Sequence, residues 1–344
     1  MKPDAAPTIP EAADEVRRRS LRDLYHVLAV RIGRGRRICN VDCRPSPHRS
    51  SFFVDEIDVT LEDGTTVGLI AKAAHCEGMS TEARRAKPPF LWDAARERMT
   101  YESILAGLDL NTPTLFGSFV DGAGIEYLLL ERIDGVPLWQ CSEFDAWRDA
   151  ARWLARLHTQ VGVHAAANTG AAAHLIRYDR PYYDRWMRRA REFHGKAPGD
   201  VAALAERHSS IVDVLLAEQT AFIHGEFYAA NILVDASRAE GAFVVRPLDW
   251  EMAAFGPALV DLACLLAGRW TDEERADVTD VYFAEYAGNG GPVPPRPDYL
   301  KTLDCCLIHL SIRNLGWSRD WSPPPDRSHD WLHEALRLCD KWHL

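Results

Sequence analysis

The chain has 344 residues, of which 47% are hydrophobic and 26% are charged, and its formal net charge at pH 7 is −10. A chain of this length and composition can bury one large core or two unequal cores, and it contains no apolar stretch long enough to span a membrane. The acidic balance and the lack of a long basic block argue against nucleic acid as a partner.

The chain begins with a polar, proline-rich stretch over residues 1–10, which we expect to be a loose tail. Helical periodicity then runs from about residue 11 to residue 30. Cys39 and Cys43 lie four residues apart with His48 nearby, but no second pair of ligands follows at zinc-finger spacing. A plain strand is therefore predicted there, and the scattering of the cysteines in apolar runs favours a reducing cytoplasm.

A β-hairpin is the next predicted element. Residues 51–61 alternate toward a strand, Asp63-Gly64 is typical of a tight turn, and residues 67–72 form the return strand. That strand ends in Lys72. A helical stretch is predicted over residues 91–108.

Two further elements precede the central motif. The apolar run 127–130 predicts a buried strand that enters a turn at residues 131–135. Residues 144–159 show the periodicity of an amphipathic helix, with Trp147 and Trp153 on its apolar side. Packing in the core is the expected role of that helix.

A second hairpin is predicted around residue 240. Residues 232–234 and 243–245 are short β-rich runs, and the stretch between them is polar and contains glycine. If the two runs pair antiparallel, Asn231 begins one strand where Asp249 follows the other. The two side chains then lie at the same end of the hairpin.

This arrangement suggests a metal and phosphate chemistry. An amide oxygen from Asn231 and a carboxylate from Asp249 converge, and Glu226 supplies a second carboxylate five residues before Asn231. Mg²⁺ prefers oxygen ligands and keeps coordination places for phosphates. The spacing therefore predicts phosphoryl transfer.

The segment His224-Gly225-Glu226, followed by Asn231 and Asp249, resembles the catalytic loop of the aminoglycoside phosphotransferase and choline kinase group, relatives of protein kinases. That group has His-Gly-Asp, four residues, Asn and then a metal-binding Asp. Gly256-Pro257 and the Asp-Leu-Ala within residues 260–263 also match the group's continuation. The resemblance implies an α+β, two-lobed protein-kinase-like fold, with a small antiparallel-sheet N-lobe and a larger, mainly helical C-lobe.

The resemblance implies roles for the loop residues. Glu226 takes the place of the catalytic base, and His224 is expected to brace the loop. Asn231 and Asp249 are expected to hold Mg²⁺ against the phosphates of ATP or GTP.

Glu226 departs from the family pattern, which has Asp at this position. The extra methylene moves the carboxylate by about 1 Å, a displacement that can cost roughly a hundredfold in a reaction that depends on positioning. Three interpretations are open: the acceptor lies farther away, the enzyme is slow, or the chain binds nucleotide without transferring phosphate.

The resemblance also implies a nucleotide site in the first third of the chain. Lys72 is the candidate for the α- and β-phosphates, and Glu97 is its expected partner, with Glu102 as the alternative. Ser50 and Ser51 lie in the loop that would cover the phosphates through backbone N–H groups.

The hinge is expected near Glu131 to Ile133, where backbone groups would bind the adenine. The expected lobes are residues 1–132 and residues 133–344.

The acceptor site is the least defined part of the sequence. Glu251 follows the metal-binding Asp by two residues, and Trp317, Asp320 and Trp321 lie near a proline-rich loop in the C-terminal region. Aromatic walls and carboxylates of this kind could bind a cationic or glycosidic ligand. They could equally pack a helical appendage, and residues 178–186 are a second candidate for the pocket wall.

The predicted function is transfer of the γ-phosphoryl group of a nucleoside triphosphate to a hydroxyl of a small molecule, such as an antibiotic, an amino alcohol or a sugar. Relatives of one fold differ in the pocket, so the motif does not identify the acceptor. Two alternatives are a kinase acting on Ser or Thr of a peptide and a pseudokinase that binds nucleotide as a scaffold.

Overall fold

The computed structural model describes residues 24, 25, 27–47, 51–74, 76–121, 124–162, 169–194, 200–239, 242–268, 270–317 and 329–344. Contacts within the chain divide it into two compact units. The first comprises the described parts of Met1–Arg84 and Thr114–Arg132, and the second those of Arg85–Pro113 and Ile133–Leu344. Residues 85–113 thus group with the second unit, a finer division than the single boundary expected at residue 132.

The first unit is built on a five-stranded antiparallel sheet with the order β1-β2-β3-β5-β4. Its strands are β1 (Ile38–Pro45), β2 (Val54–Leu61), β3 (Thr66–Ala73), β4 (Leu115–Val120) and β5 (Glu126–Glu131). A π-helical turn over Ala29–Gly33 precedes the sheet. One face of the sheet packs on a core formed by Leu24, Leu28, Ile32, Ile38, Ile57, Val59, Leu61, Leu69, Ala71, Phe119 and Leu129.

The predicted hairpin between β2 and β3 is present, with Thr60 opposite Thr66. Asp63 stabilises the turn because its Oδ1 accepts a hydrogen bond from the backbone N–H of Thr65, at 2.9 Å. This bond holds the pKa of Asp63 at about 2. Gly64 supplies the left-handed backbone that the turn requires, with φ of +82°.

The second unit is mainly helical. Its longer helices are α3 (Asp145–Gln160), α4 (Arg180–His194), α5 (Asp200–Ala217), α7 (Asp272–Gly288), α8 (Arg296–Trp317) and α9 (Trp331–Trp342). Shorter helices are α2 (Arg96–Thr100) and α6 (Leu259–Leu265), and the chain division between residues 84 and 85 falls within α1 (Thr81–Ala86). Helix α8 is buried on most of its surface, as expected for a helix without a continuous polar face.

Two small sheets complete this unit. The first has the order β10-β9-β6, with β6 at Val136–Pro137, β9 at Ile232–Ala239 and β10 at Ala242–Pro247. The second has the order β7-β11-β8, with β7 at Ile176–Arg177, β8 at Thr220–Ile223 and β11 at Ala254–Pro257. None of the helices within the described ranges is long and apolar enough to cross a bilayer.

The helix predicted over residues 91–108 is shorter than expected. A 3₁₀ turn over Pro89–Leu91 ends at Trp92, which is extended, and the α-helix begins only at Arg96 before passing into a π-helical turn over 101–105. Asp93 favours the interruption, because its side chain accepts the backbone N–H of Ala95 in a local turn.

Candidate active site

The hairpin predicted around residue 240 is confirmed, and it brings Asn231 and Asp249 to the same end. Strands β9 and β10 pair antiparallel, with Ile232 opposite Pro247. Beyond this pair the backbone N–H of Leu248 donates to the carbonyl of Asn231 at 2.8 Å. The two candidate metal ligands therefore flank one backbone hydrogen bond.

The loop that carries Glu226 needs a glycine before it. Gly225 has φ of +81°, in the left-handed region that other residues rarely adopt. A Cβ at this position would also lie 2.2 Å from the carbonyl oxygen of Met252. The loop and the turn after Asp249 thus approach each other too closely for a side chain at residue 225.

A buried carboxylate fastens the same loop. Asp261, on α6, accepts the backbone N–H of His224 on Oδ2 at 2.6 Å and that of Gly225 on Oδ1 at 2.8 Å. His158 on α3 lies 3.3 Å from Oδ2 and bonds the hydroxyl of Tyr282 through its other ring nitrogen. The sequence pattern contained Asp261 only as part of an Asp-Leu-Ala match, with no role of its own.

His224 bonds to the loop backbone through its ring, while its role in the reaction stays a prediction. Its Nε2 donates to the carbonyl of Leu248 at 2.8 Å, which leaves Nδ1 to accept the backbone N–H of Glu226 at 3.3 Å. Both ring nitrogens therefore bond to backbone groups. The side chain is fully buried.

Asn231 and Asp249 fit an oxygen-ligated metal. The side-chain amide of Asn231 donates to the carbonyl of Glu226 at 3.0 Å, which directs its oxygen away from the loop. Asp249 has φ of +65°, a strained conformation for a residue with a side chain and one that Asp tolerates better than most. Across the described ranges no three His, Cys, Asp or Glu side chains form a metal cluster, so phosphate oxygens would have to complete the coordination.

Glu226 lies beside a cation that the sequence analysis did not identify. Its Oε1 accepts a hydrogen bond from Nη2 of Arg313 at 2.7 Å, and the two side chains are 16% and 3% exposed. Burial raises the pKa of Glu226 to about 7, although Arg313 opposes the shift. Arg313 occurs within an apolar run of α8, and a cation inside that buried run is the one sequence signal that could have identified it.

Glu251 is paired within the same unit. It forms a short ion pair with Lys87, and both side chains are largely buried. The buried guanidinium of Arg96 donates to the backbone carbonyls of Glu251 at 2.7 Å and His174 at 2.6 Å. The turn that follows Asp249 is therefore fixed to Lys87 by an ion pair and to Arg96 by a hydrogen bond from the guanidinium to the carbonyl of Glu251.

Glu97 also contacts that turn. Its Oε1 accepts the backbone N–H of Trp250, the residue after Asp249, at 3.2 Å. The carboxylate is buried. The expected pairing of Glu97 with Lys72 would join the two units and stays a prediction.

The sequence from residue 83 to residue 300 matches the model of the phosphotransferase enzyme family known as APH. The chain belongs to this phosphotransferase family. The expectation of a phosphotransferase is therefore confirmed. A comparison with curated protein sequences gives no match.

Several solved structures are similar to this phosphotransferase. A microcompartment-associated aminopropanol kinase has a TM-score of 0.58 at 16% identity, over 91% of this chain and 95% of that chain. The GDP complex of wild-type aminoglycoside 2′-phosphotransferase-IIIa has a TM-score of 0.54 at 14% identity, over 94% and 97%. An amicoumacin kinase in complex with AMP-PNP, Ca²⁺ and Ami has a TM-score of 0.54 at 12% identity, over 87% and 88%. The expected α+β kinase-like fold is confirmed.

In the first unit of the phosphotransferase, Lys72 lies on β3 opposite Leu128. It is largely buried, and its ammonium lies 5.5 Å from the centre of the Phe52 ring. The backbone carbonyl of Ser51 accepts the N–H of Ser80 at 3.0 Å, whereas Ser50 lies outside the described residues. Nucleotide binding by these residues stays a prediction.

The expected hinge begins at the end of β5. The side chain of Glu131 accepts hydrogen bonds from the N–H and the hydroxyl of Thr114, at 3.0 and 3.1 Å. Ile133 is the first residue of the second unit after this strand. The side chain of Glu131 is thus occupied locally, while a role for the backbone at 131–133 stays a prediction.

The candidate acceptor residues are only partly described. Trp317, at the end of α8, stacks on Trp186 of α4 with ring centroids 5.8 Å apart. Asp320 and Trp321 lie outside the described residues. Tyr182 and Tyr183, from the other candidate wall, are buried against His309. Helix packing is thus an observed role for Trp317, and binding of an acceptor stays a prediction.

Proposed function

We propose that this phosphotransferase moves the γ-phosphoryl group of ATP or GTP to a hydroxyl of a small molecule, with Glu226 as the general base. The observation that carries the proposal is the loop itself. Asp261 and His224 fix its backbone, Glu226 and Asn231 are held by hydrogen bonds, and the residue before Asp249 is bonded to His224. Phosphoryl transfer depends mainly on such positioning and on charge stabilisation.

Asn231 and Asp249 would hold Mg²⁺ in this proposal. The ion, when bound, neutralises phosphate charge and keeps the nucleotide in line with the acceptor. The described residues supply one amide oxygen and one carboxylate at this end of the hairpin. Mg²⁺ in nucleotide sites is typically bound by one or two such protein ligands, and phosphate oxygens complete its coordination.

Glu226 has properties suited to a base. Because its pKa is about 7, its carboxylate exchanges a proton readily near neutral pH. The acceptor hydroxyl would give its proton to this carboxylate as the oxygen attacks the γ-phosphorus. The metal site and Lys72 would neutralise the negative charge of the phosphates. We propose that Lys72 binds the α- and β-phosphates, with Glu97 as its partner.

The remaining assignments follow from the family. Ser50 and Ser51 would cover the phosphates, and backbone groups at Glu131 and Ile133 would bind the purine ring of the nucleotide. The names of the similar structures include an aminopropanol kinase and an aminoglycoside phosphotransferase, which supports an amino alcohol or an antibiotic as the acceptor class. We propose that the acceptor contacts Glu251, Trp317, Asp320 and Trp321. The proposal also includes a cytoplasmic location and a role in resistance or biosynthesis.

A second candidate is a nucleotide-binding protein that does not transfer phosphate. The observation in its favour is the buried pair between Glu226 and Arg313, which occupies one oxygen of the proposed base.

The test is a transfer assay with γ-labelled ATP and GTP, with and without Mg²⁺, against aminoglycosides, amino alcohols, sugars and a Ser- or Thr-containing peptide. Magnesium-dependent labelling of a small hydroxyl compound supports the proposal. Nucleotide binding without labelling of any acceptor, and without release of phosphate, supports the second candidate instead.

A further inference from the structure

We propose that Arg313 is a positioning residue that allows Glu226 to act where the family pattern has Asp. It holds Oε1 of Glu226 and leaves Oε2 to accept the proton of the acceptor hydroxyl. The inference rests on the proposed function, because it assigns a role within that reaction. Arg313 itself contacts neither the nucleotide nor the acceptor in this scheme.

The guanidinium fixes residue 226 at two points. Nη2 of Arg313 donates to Oε1 of Glu226 at 2.7 Å, and Nη1 donates to the carbonyl of Gly225 at 2.9 Å. One planar group thus binds the end of the side chain and the peptide from which that residue begins. A glutamate bound in this way loses the rotamer freedom that its extra methylene would otherwise give it.

The second carboxylate oxygen of Glu226, Oε2, can accept the proton of the hydroxyl. Within the described ranges Oε2 of Glu226 has no hydrogen-bond partner. The side chain of Glu226 is 16% exposed, although that of Arg313 beside it is buried. A hydroxyl that approaches Glu226 therefore meets Oε2, while Oε1 stays with the guanidinium. The proton moves from the hydroxyl to Oε2 as the bond from its oxygen to phosphorus forms, and the nucleoside diphosphate leaves with the electron pair of the broken P–O bond.

The length of the side chain matches the position of Arg313. Aspartate is one methylene shorter and would draw the carboxylate back by about 1 Å, which stretches the contact of 2.7 Å beyond hydrogen-bond distance. The buried guanidinium would then lose its charged partner. Glu226 and Arg313 are therefore a matched pair, and the family's usual residue should work less well in this chain.

Other charges act on Glu226 from a distance: Asp249 and Glu251 raise its pKa, and Lys87 lowers it. Lys87 forms an ion pair with Glu251, and Asp249 belongs to the proposed metal site. On α8, burial lowers the pKa of His309, one turn before Arg313, well below its ordinary value, so that residue is neutral. Tyr178 supports the guanidinium with its hydroxyl 3.4 Å from Nη1, and Tyr182, Tyr228 and Cys264 are further titratable neighbours. Among the residues that the structure describes, Arg313 is thus the cation that contacts the Glu226 carboxylate directly.

The experiment compares Arg313→Met, Arg313→Lys and Glu226→Asp in single-turnover phosphoryl transfer from ATP or GTP. Water and the acceptors found in the transfer assay serve as the receiving groups. Arg189→Met is the control, because the guanidinium of Arg189, like that of Arg313, donates to backbone carbonyls but does not contact Glu226.

We expect Arg313→Met to slow transfer about a hundredfold, with the nucleotide Kd changed less than about twofold. Arg313→Lys should recover about tenfold of that loss, because it restores the charge but only one of the two contacts. Glu226→Asp should be at least about tenfold slower than the wild type, and Arg189→Met should stay within about twofold of it.

Wild-type transfer rates in Arg313→Met, or a Glu226→Asp variant as fast as the wild type, would overturn the inference. If Arg313→Met does not fold, as judged by circular dichroism, Arg313→Lys and Glu226→Asp decide it alone. A wild type that transfers phosphate to no acceptor and not to water overturns the proposed function itself, and the inference with it. That failure is distinct because it appears before any variant is compared.

Discussion

The buried carboxylate of Asp261 accepts the backbone N–H of His224 at 2.6 Å, 37 residues earlier in the chain. Its other oxygen accepts the N–H of Gly225. Helix α6 and the loop that begins at His224 are thus joined by one side chain that satisfies two main-chain donors. The loop geometry therefore depends on a residue that takes no part in the chemistry.

Replacing Asp261 by Ala should leave both N–H groups without their acceptor. We expect the free energy of unfolding to fall by about 2–4 kcal/mol, since buried donors lose charge-assisted bonds. Denaturant unfolding measures the change. Asp298→Asn is the control, because Asp298 is exposed in the first turn of α8, and it should cost less than about 1 kcal/mol. Equal effects of the two substitutions would contradict the role assigned to Asp261.

Gly225→Ala should disrupt the loop through a clash as well as through backbone strain. The added Cβ would meet the carbonyl of Met252 at 2.2 Å. Gly64 offers a matched control, since its φ of +82° is close to the +81° of Gly225 and a Cβ there would meet nothing within 4 Å. Gly64→Ala should cost only the left-handed strain of about 1–2 kcal/mol and keep the transfer rate. Gly225→Ala should cost more and lose transfer, and similar behaviour of the two variants in the transfer assay would refute the clash.

Asp249→Asn should weaken the metal site and leave the fold intact. Asparagine tolerates the left-handed backbone of this position, so the turn should persist while the carboxylate charge is lost. We expect Mg²⁺-dependent nucleotide affinity, measured by calorimetry, to fall about 10–100-fold, with magnesium-free binding unchanged. Affinity that keeps its full magnesium dependence would remove Asp249 from the metal site.

The rate of transfer should rise with pH through about 7. Burial raises the pKa of Glu226 to that value from an ordinary value of 4.5, and a base must be ionised to accept a proton. Because the folded state then holds a proton that the unfolded chain has lost, the stabilisation from this group is complete below pH 4.5 and is lost as pH rises through 7. A pH–rate profile of single turnovers checks the sign, and a rate that is flat from pH 5.5 to 8.5 would contradict it.

The sequence predicted the parts of the site that local spacing determines. The hairpin that brings Asn231 and Asp249 together follows from two β-rich runs and a polar turn. Arg313 was missed because its partner lies 87 residues away and no local period relates them. The predicted start of the helix that contains Glu97 was too early. The turn at Asp93 that delays this helix depends on one side-chain hydrogen bond, which the periodicity of the sequence does not indicate.

The acceptor site stays a prediction, for a physical reason. Trp317 and Glu251 were selected for residue type, and each has a partner within the protein, Trp186 and Lys87 respectively. Residue type alone does not distinguish a side chain that waits for a ligand from one that is already satisfied.

The most direct test of the account is the single-turnover rate of γ-phosphoryl transfer in the wild type and in Glu226→Gln. Glutamine keeps the length of the side chain and can still accept a bond from Arg313, but it cannot take a proton. We predict a loss of at least about a hundredfold in rate with unchanged nucleotide affinity. Equal rates in the two proteins would show that Glu226 is not the base.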